Sequence, residues 1–124
     1  MNPSDCDNVL AKANLFRRAS QFEEAAQLMR KAIRMQPTDY SHYQNLANLS
    51  MEQKKPNQAE AALRLAGLAL PESGQAKLTL ARFLLLVNKP SEAIKPAQAA
   101  KRLLNSDEAE EVLSQVLNAA GVLR

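Results

Sequence analysis

Tryptophan is missing from this 124-residue chain, glycine occurs three times, and cysteine and histidine occur once each. Each shortage closes off a class of function. A lone Cys6 cannot form an internal disulfide. With only His42 to accompany it, the chain lacks the thiolates and imidazoles of a structural zinc site, so no metal is expected. Three dispersed glycines cannot build a phosphate-cradling loop. Aromatic residues make up 4%, too few to stack a run of bases. The longest apolar run, Phe83 to Val87, is far short of the roughly 20 residues that span a bilayer. Met1 to Cys6 is polar, without the charged start and apolar run of a secretory signal. A soluble, reduced, cytoplasmic setting is therefore the default expectation.

Charge of one sign is also scarce. Sixteen Lys and Arg face thirteen Asp and Glu, a net +3. Arg17-Arg18, Arg30-Lys31-Arg34, Lys54-Lys55 and Lys101-Arg102 are scattered and interleaved with acids, unlike the footprint of a nucleic-acid binder. The acidic pairs Glu23-Glu24, Asp107-Glu108 and Glu110-Glu111 fall at expected helix starts, where the helix dipole accounts for them. His42, beside Tyr43 near another helix start, reads as a surface residue. Cys6 reads as a small, partly buried residue with no histidine partner. No convergent acid, base or nucleophile is left over, so neither catalysis nor a cofactor is expected.

What the chain has is alanine at a fixed interval. Ala13, Ala47 and Ala81 are 34 apart, as are Ala25, Ala59 and Ala93, and Ala32, Ala66 and Ala100. Pro37 and Pro71 keep the same interval. One period held at several independent sites marks a repeat protein. Between the ladders, apolar residues recur with helical spacing: Val9, Ala13 and Phe16; Phe22, Ala25, Ala26, Met29, Ala32 and Ile33; Tyr43, Leu46, Ala47 and Ser50; Ala59, Ala62, Leu63, Ala66 and Leu70. A fifth stretch, about 75–87, is apolar nearly all round and calls for an enclosed place or an apolar partner. Ala93, Ala97, Ala100 and Leu104 form a sixth stripe, interrupted by Pro96, where a kink is expected. Val112, Leu113, Val116, Leu117 and Ala120 form a seventh. Residues 1–5 read as a loose turn with Ser4 or Asp5 as N-cap. Thr38-Asp39 and Ser106-Asp107 read as later caps, Glu72-Ser73-Gly74 as the opening of the third unit, Pro56 and Pro90 as first helical residues, and Gly121 as a C-cap.

The 34-residue period, with Tyr43, Leu46-Ala47, Ala59, Leu63, Ala66 and Pro71 in the middle unit, resembles the tetratricopeptide repeat (TPR). Phe16, Phe22 and Pro37 in the first unit and Leu80-Ala81 in the third extend the likeness to about residues 6–107. Lys12, Pro56, Pro90, Pro96 and Asn105 depart from the pattern. The resemblance implies an all-α, right-handed α-solenoid of seven helices in one domain over 1–124. Its repeats would be about 6–39, 40–73 and 74–107, with a capping helix about 108–121.

The resemblance also implies a concave groove lined by the first helix of each pair and a non-enzymatic role: binding a peptide or helix of a partner protein. By register the groove would hold Asp7, Leu10, Asn14, Arg17 and Arg18, then Ser41, Gln44, Asn45, Asn48 and Glu52, then Gln75, Leu78, Thr79 and Arg82. A carboxamide both donates and accepts, so it can grip a peptide backbone whatever its side chains. Asn14, Asn45, Asn48 and Arg82 are therefore the expected polar contacts, with Arg17 and Gln44 in support. The carboxylate clamp of some TPR co-chaperones would match Asn14 and Asn45, but Leu10, Gln75 and Thr79 stand where it needs cations. Two other readings stay open. One is a scaffold, or a piece of a larger TPR protein, with a homo-oligomer through the capping helix. The other is a small TPR chaperone, which would need Leu10, Leu78 and Leu85 exposed.

Overall fold

A computed structural model describes residues 3–122. Among them are seven α-helices and no strand: α1 (Pro3–Arg18), α2 (Phe22–Met35), α3 (Tyr40–Glu52), α4 (Pro56–Ala69), α5 (Gly74–Leu86), α6 (Pro90–Leu104) and α7 (Asp107–Ala119). The chain divides within α4 into two compact units, Met1–Leu65 and Ala66–Arg124.

The alanine ladders mark where helices touch. In the first unit Ala13, Ala25, Ala32 and Ala59 are fully buried and Ala47 nearly so; in the second, Ala66, Ala81, Ala93 and Ala100 are fully buried. A methyl group lets neighbouring backbones approach closely, and anything larger would force them apart. In the first unit α2 packs on α1 and α3. Around the alanines lie Met29, Ile33, Tyr43, Leu46, Leu49 and Leu63. In the second unit α6 packs on α5 and α7, and α5 also meets α7. That double contact encloses the apolar α5, burying Leu78, Leu80, Phe83 and Leu84. Gly74 opens α5 where a Cβ would run into the side chain of Leu104. Leu104 itself is more than a third exposed, outside the buried stripe of Ala93, Ala97 and Ala100.

Side-chain caps start three helices. Asp39 accepts from the Ser41 N–H at 3.0 Å and from its hydroxyl at 2.6 Å; Ser73 accepts from the Ala76 N–H and Ser106 from the Ala109 N–H, each at 3.1 Å. At the other end of the chain the expectation fails. α1 begins at Pro3, so Ser4 and Asp5 lie inside its first turn rather than capping it. Proline suits that place because the first helical N–H has no intrahelical acceptor. Asn2 lies outside the described residues.

Four helices end alike, and in three of them glycine is absent. Ser20, Lys54 and Asn88 take the left-handed conformation with φ of 60°, 59° and 62°. These three positions are one period apart. Each donates its N–H to the carbonyl three residues back, and the next residue donates five back: Gln21 to Phe16, Lys55 to Ser50 and Lys89 to Leu84. This is the Schellman arrangement, which satisfies carbonyls that the helix leaves open. α7 closes with the same bonds, from Gly121 to Asn118 and from Val122 to Leu117, with Gly121 at φ 80°. α6 ends on Asn105, also left-handed. Pro96 sits inside α6, which is continuous through it.

Candidate functional site: a polar cleft on the first and third helices

Four of the six expected contact residues come together in the first unit. Asn14 and Arg17 of α1 and Asn45 and Asn48 of α3 line a cleft of about 190 Å³, with Met29 and Leu49 at its base and Glu52 at its end. Spacing explains the convergence. Asn14 and Arg17 are three apart on α1, and Asn45, Asn48 and Glu52 are three and four apart on α3, so each set shares a helix face. The apolar residues between them face the core and turn the polar ones outward.

Arg17 is engaged: its Nη1 lies 3.3 Å from Glu52 Oε1, with both side chains partly exposed. The pair joins α1 to α3 across the end of the cleft. An exposed pair of this kind contributes at most about 1 kcal/mol, so a ligand carboxylate could compete for the guanidinium. Among the described residues, the carboxamides of Asn14, Asn45 and Asn48 make no side-chain hydrogen bond. Gln44 is half-buried on α3 and does not line the cleft. Arg82 belongs to the second unit, on α5, where Glu108 of α7 holds its guanidinium.

Other expected groove residues are placed differently. Leu78 is buried at 2% exposure, while Leu10 and Leu85 are half-buried. The exposed apolar lining that a chaperone groove would need is therefore missing at Leu78, because α6 and α7 enclose α5.

Two expectations about single residues are overturned. His42 is buried, at 2% exposure, and so is Cys6. Cys6 of α1 and His42 of α3 do meet: Sγ lies 3.5 Å from Nε2, which is also 2.9 Å from Gln36 Oε1 and 3.6 Å from Asp39 Oδ2. His42 is buried because α3 is covered on two sides, by α2 and by the start of α1. The contact does not activate the thiol. Burial above all, then the charges of Asp7 and Asp39, push its pKa up, so it stays protonated and poorly nucleophilic at neutral pH. Asp39 moves the other way: the hydrogen bond from the Ser41 side chain holds its carboxyl below the usual range. Tyr43, buried at 1%, donates its hydroxyl to the Pro37 carbonyl at 2.6 Å, and burial raises its pKa. Among the described residues no cluster of three or more His, Cys, Asp or Glu could hold a metal, and no helix is long and apolar enough to cross a membrane.

Paired helices, small residues at their contacts and a fixed 34-residue period define a helical-repeat protein. Residues 16–73, just under half of the chain, match the profile of the tetratricopeptide repeat family, and solved TPR domains share the fold of the chain. The first TPR of Spaghetti (RPAP3), bound to the HSP90 peptide SRMEEVD, aligns over 98% of this chain and 97% of its own, with 20% identity and a TM-score of 0.69. The Sgt2 TPR domain from Aspergillus fumigatus aligns over 97% and 81%, with 15% identity and a TM-score of 0.70. The TPR2B domain of yeast Sti1, in complex with an Hsp70 peptide, aligns over 96% and 98%, with 20% identity and a TM-score of 0.65. No curated protein matches the sequence.

Proposed function

We propose that this protein is a non-enzymatic interaction module whose α1–α3 cleft binds an extended peptide of a partner protein. One observation carries the reading: Asn14, Asn45 and Asn48 present carboxamides without side-chain partners, among the described residues, around one cleft. Such groups bind a peptide backbone by donating to its carbonyls and accepting from its N–H groups, so recognition would depend little on side-chain identity. Arg17 supplies a cation once it releases Glu52, with Gln44, next to Asn45 on α3, as a supporting contact. Arg82, on α5 and paired with Glu108, is not among the residues that line this cleft. The solved relatives bound to chaperone peptides favour a peptide ligand. Leu10, Gln75 and Thr79, where a carboxylate clamp needs cations, speak against a tail held in that way. Nucleic acid has no part in this reading, and the cytoplasm is its natural setting. Nor does it need a homo-oligomer through α7, whose Ala109, Val112 and Val116 are buried within its own unit.

The test is display selection of unstructured peptides on the whole chain, followed by titration against Asn45→Ala/Asn48→Ala. A hydrogen bond contributes about 1 kcal/mol net, so losing two should weaken the selected peptides roughly thirtyfold. Circular dichroism checks that helicity is unchanged. Equal affinity for wild type and variant would remove the cleft from the function.

A further inference from the structure

A second cleft lies on another face of α3, and nothing in the peptide reading uses it. It encloses about 370 Å³ between α2 and α4, with α3 as its floor. Ile33 of α2 and Leu46 of α3 form the buried base, and Ala61 and Leu65 of α4 form one wall. Leu65 is 47% exposed, unusual for leucine beside an apolar cavity. The opposite rim carries Arg30 and Arg34, both exposed.

Those arginines are the informative feature. They stand four apart on α2, where like charges repel and weaken the helix. No acidic residue lines the cleft. Among the described residues neither guanidinium has an ion-pair partner. Arg17, Arg64, Arg82 and Lys101 are paired with glutamates; Lys12, Lys31, Lys54, Lys55, Lys95 and Arg102 are, like Arg30 and Arg34, exposed without an ion pair among the described residues, but none of them lines this cleft. An apolar trough edged by two uncompensated cations is complementary to a surface that is apolar along one stripe and acidic beside it.

The geometry points to a docking site for an acidic amphipathic helix of a partner protein. The cleft walls are themselves helices, and their lining residues recur at three- and four-residue intervals, so a third helix can lay its apolar stripe between them. Its leucine-sized side chains would cover Leu46, Ile33 and Leu65, and carboxylates one turn along would meet Arg30 and Arg34. This site stands apart from the Asn14–Asn45–Asn48 cleft, and either could exist without the other.

The test uses two display libraries on one helical scaffold, identical apart from Glu or Lys at the positions flanking the apolar stripe. Both are selected on the whole chain. The Glu library should yield binders and the Lys library should not. Those binders should lose at least tenfold in affinity with Arg30→Gln/Arg34→Gln and with Leu65→Asp, and weaken as salt rises. Asn45→Ala/Asn48→Ala should leave them unchanged, which separates this site from the peptide cleft. Arg30→Gln/Arg34→Gln removes a repulsion, so it should fold at least as stably as wild type, and lost binding cannot then be ascribed to unfolding. No enrichment from the Glu library, equal enrichment from both, or binders indifferent to the arginine changes would each overturn the proposal.

Discussion

Replacing Lys54 with glycine should stabilise the protein. Lys54 holds φ at 59° in the Schellman turn that ends α3, donating to Met51 O while Lys55 donates to Ser50 O, both at 2.9 Å. A side chain in that conformation brings its Cβ against the following carbonyl, at about 1–2 kcal/mol. Glycine removes that strain. It adds entropy to the unfolded chain, which takes back about 0.5–1 kcal/mol. The Lys54 side chain is exposed and has no partner among the described residues, so its loss costs only a weak dipole interaction at the helix end, a few tenths of a kcal/mol. With mid-range values the balance is a gain of about 0.5 kcal/mol, or an unfolding midpoint higher by about 2 °C. Urea titration and a thermal scan both measure it. Lys54→Ala is the essential control, since alanine loses the charge and keeps the Cβ. It should be neutral or slightly destabilising. A gain shared equally by Gly and Ala would show that side-chain charge governs the site, and a loss with Gly would show that left-handed strain is absent.

The same logic gives Asn88→Gly a smaller gain by the same assays, because asparagine tolerates the left-handed region. Ala25→Leu puts three extra carbons at a fully buried helix contact and should cost about 1–3 kcal/mol or more by urea denaturation. Tyr43→Phe leaves the Pro37 carbonyl without its hydroxyl donor and should cost about 1 kcal/mol in the same measurement. Asp39 has a lowered pKa in the fold, so the stability it contributes is present above the unfolded carboxylate pKa and is lost as pH falls through the folded one. Asp39→Asn should flatten that part of an acid denaturation profile. Cys6 should react with a thiol reagent slowly in the native protein and at once in denaturant, since burial keeps it covered and protonated.

Much of the fold was readable because the contacts that determine it occur once per period. An alanine required at every helix contact repeats with the repeat, and all nine ladder positions are buried. The helix caps at Asp39 and Ser106 were readable for a local reason: the capping side chain sits two or three residues from the N–H it satisfies. The left-handed backbone of the turns at Ser20, Lys54 and Asn88 was not, because its usual residue, glycine, is missing and three unrelated side chains replace it. The start of α1 misled in the opposite direction. Asn2-Pro3-Ser4-Asp5 carries a turn signature, yet proline serves equally as a first helical residue, and composition alone does not separate the two.

The candidate site divides along the same line. Asn45 and Asn48 share a face of one helix whatever surrounds it, and Asn14 lies one period before Asn48, so their meeting follows from helical spacing and the repeat. The Arg17–Glu52 pair spans 35 residues, one period plus one, and was within reach of the same reasoning. The Cys6–His42 contact spans 36 and depends on how far the start of α1 reaches over α3, which no residue type signals. The second cleft is further out of reach, since its walls are Arg30, Ile33 and Arg34 on one helix and Ala61 and Leu65 on another, with Leu46 beneath. Along α2 the two arginines read as solvated charge. They become conspicuous only once the opposing helix is seen to bring an apolar wall and no carboxylate.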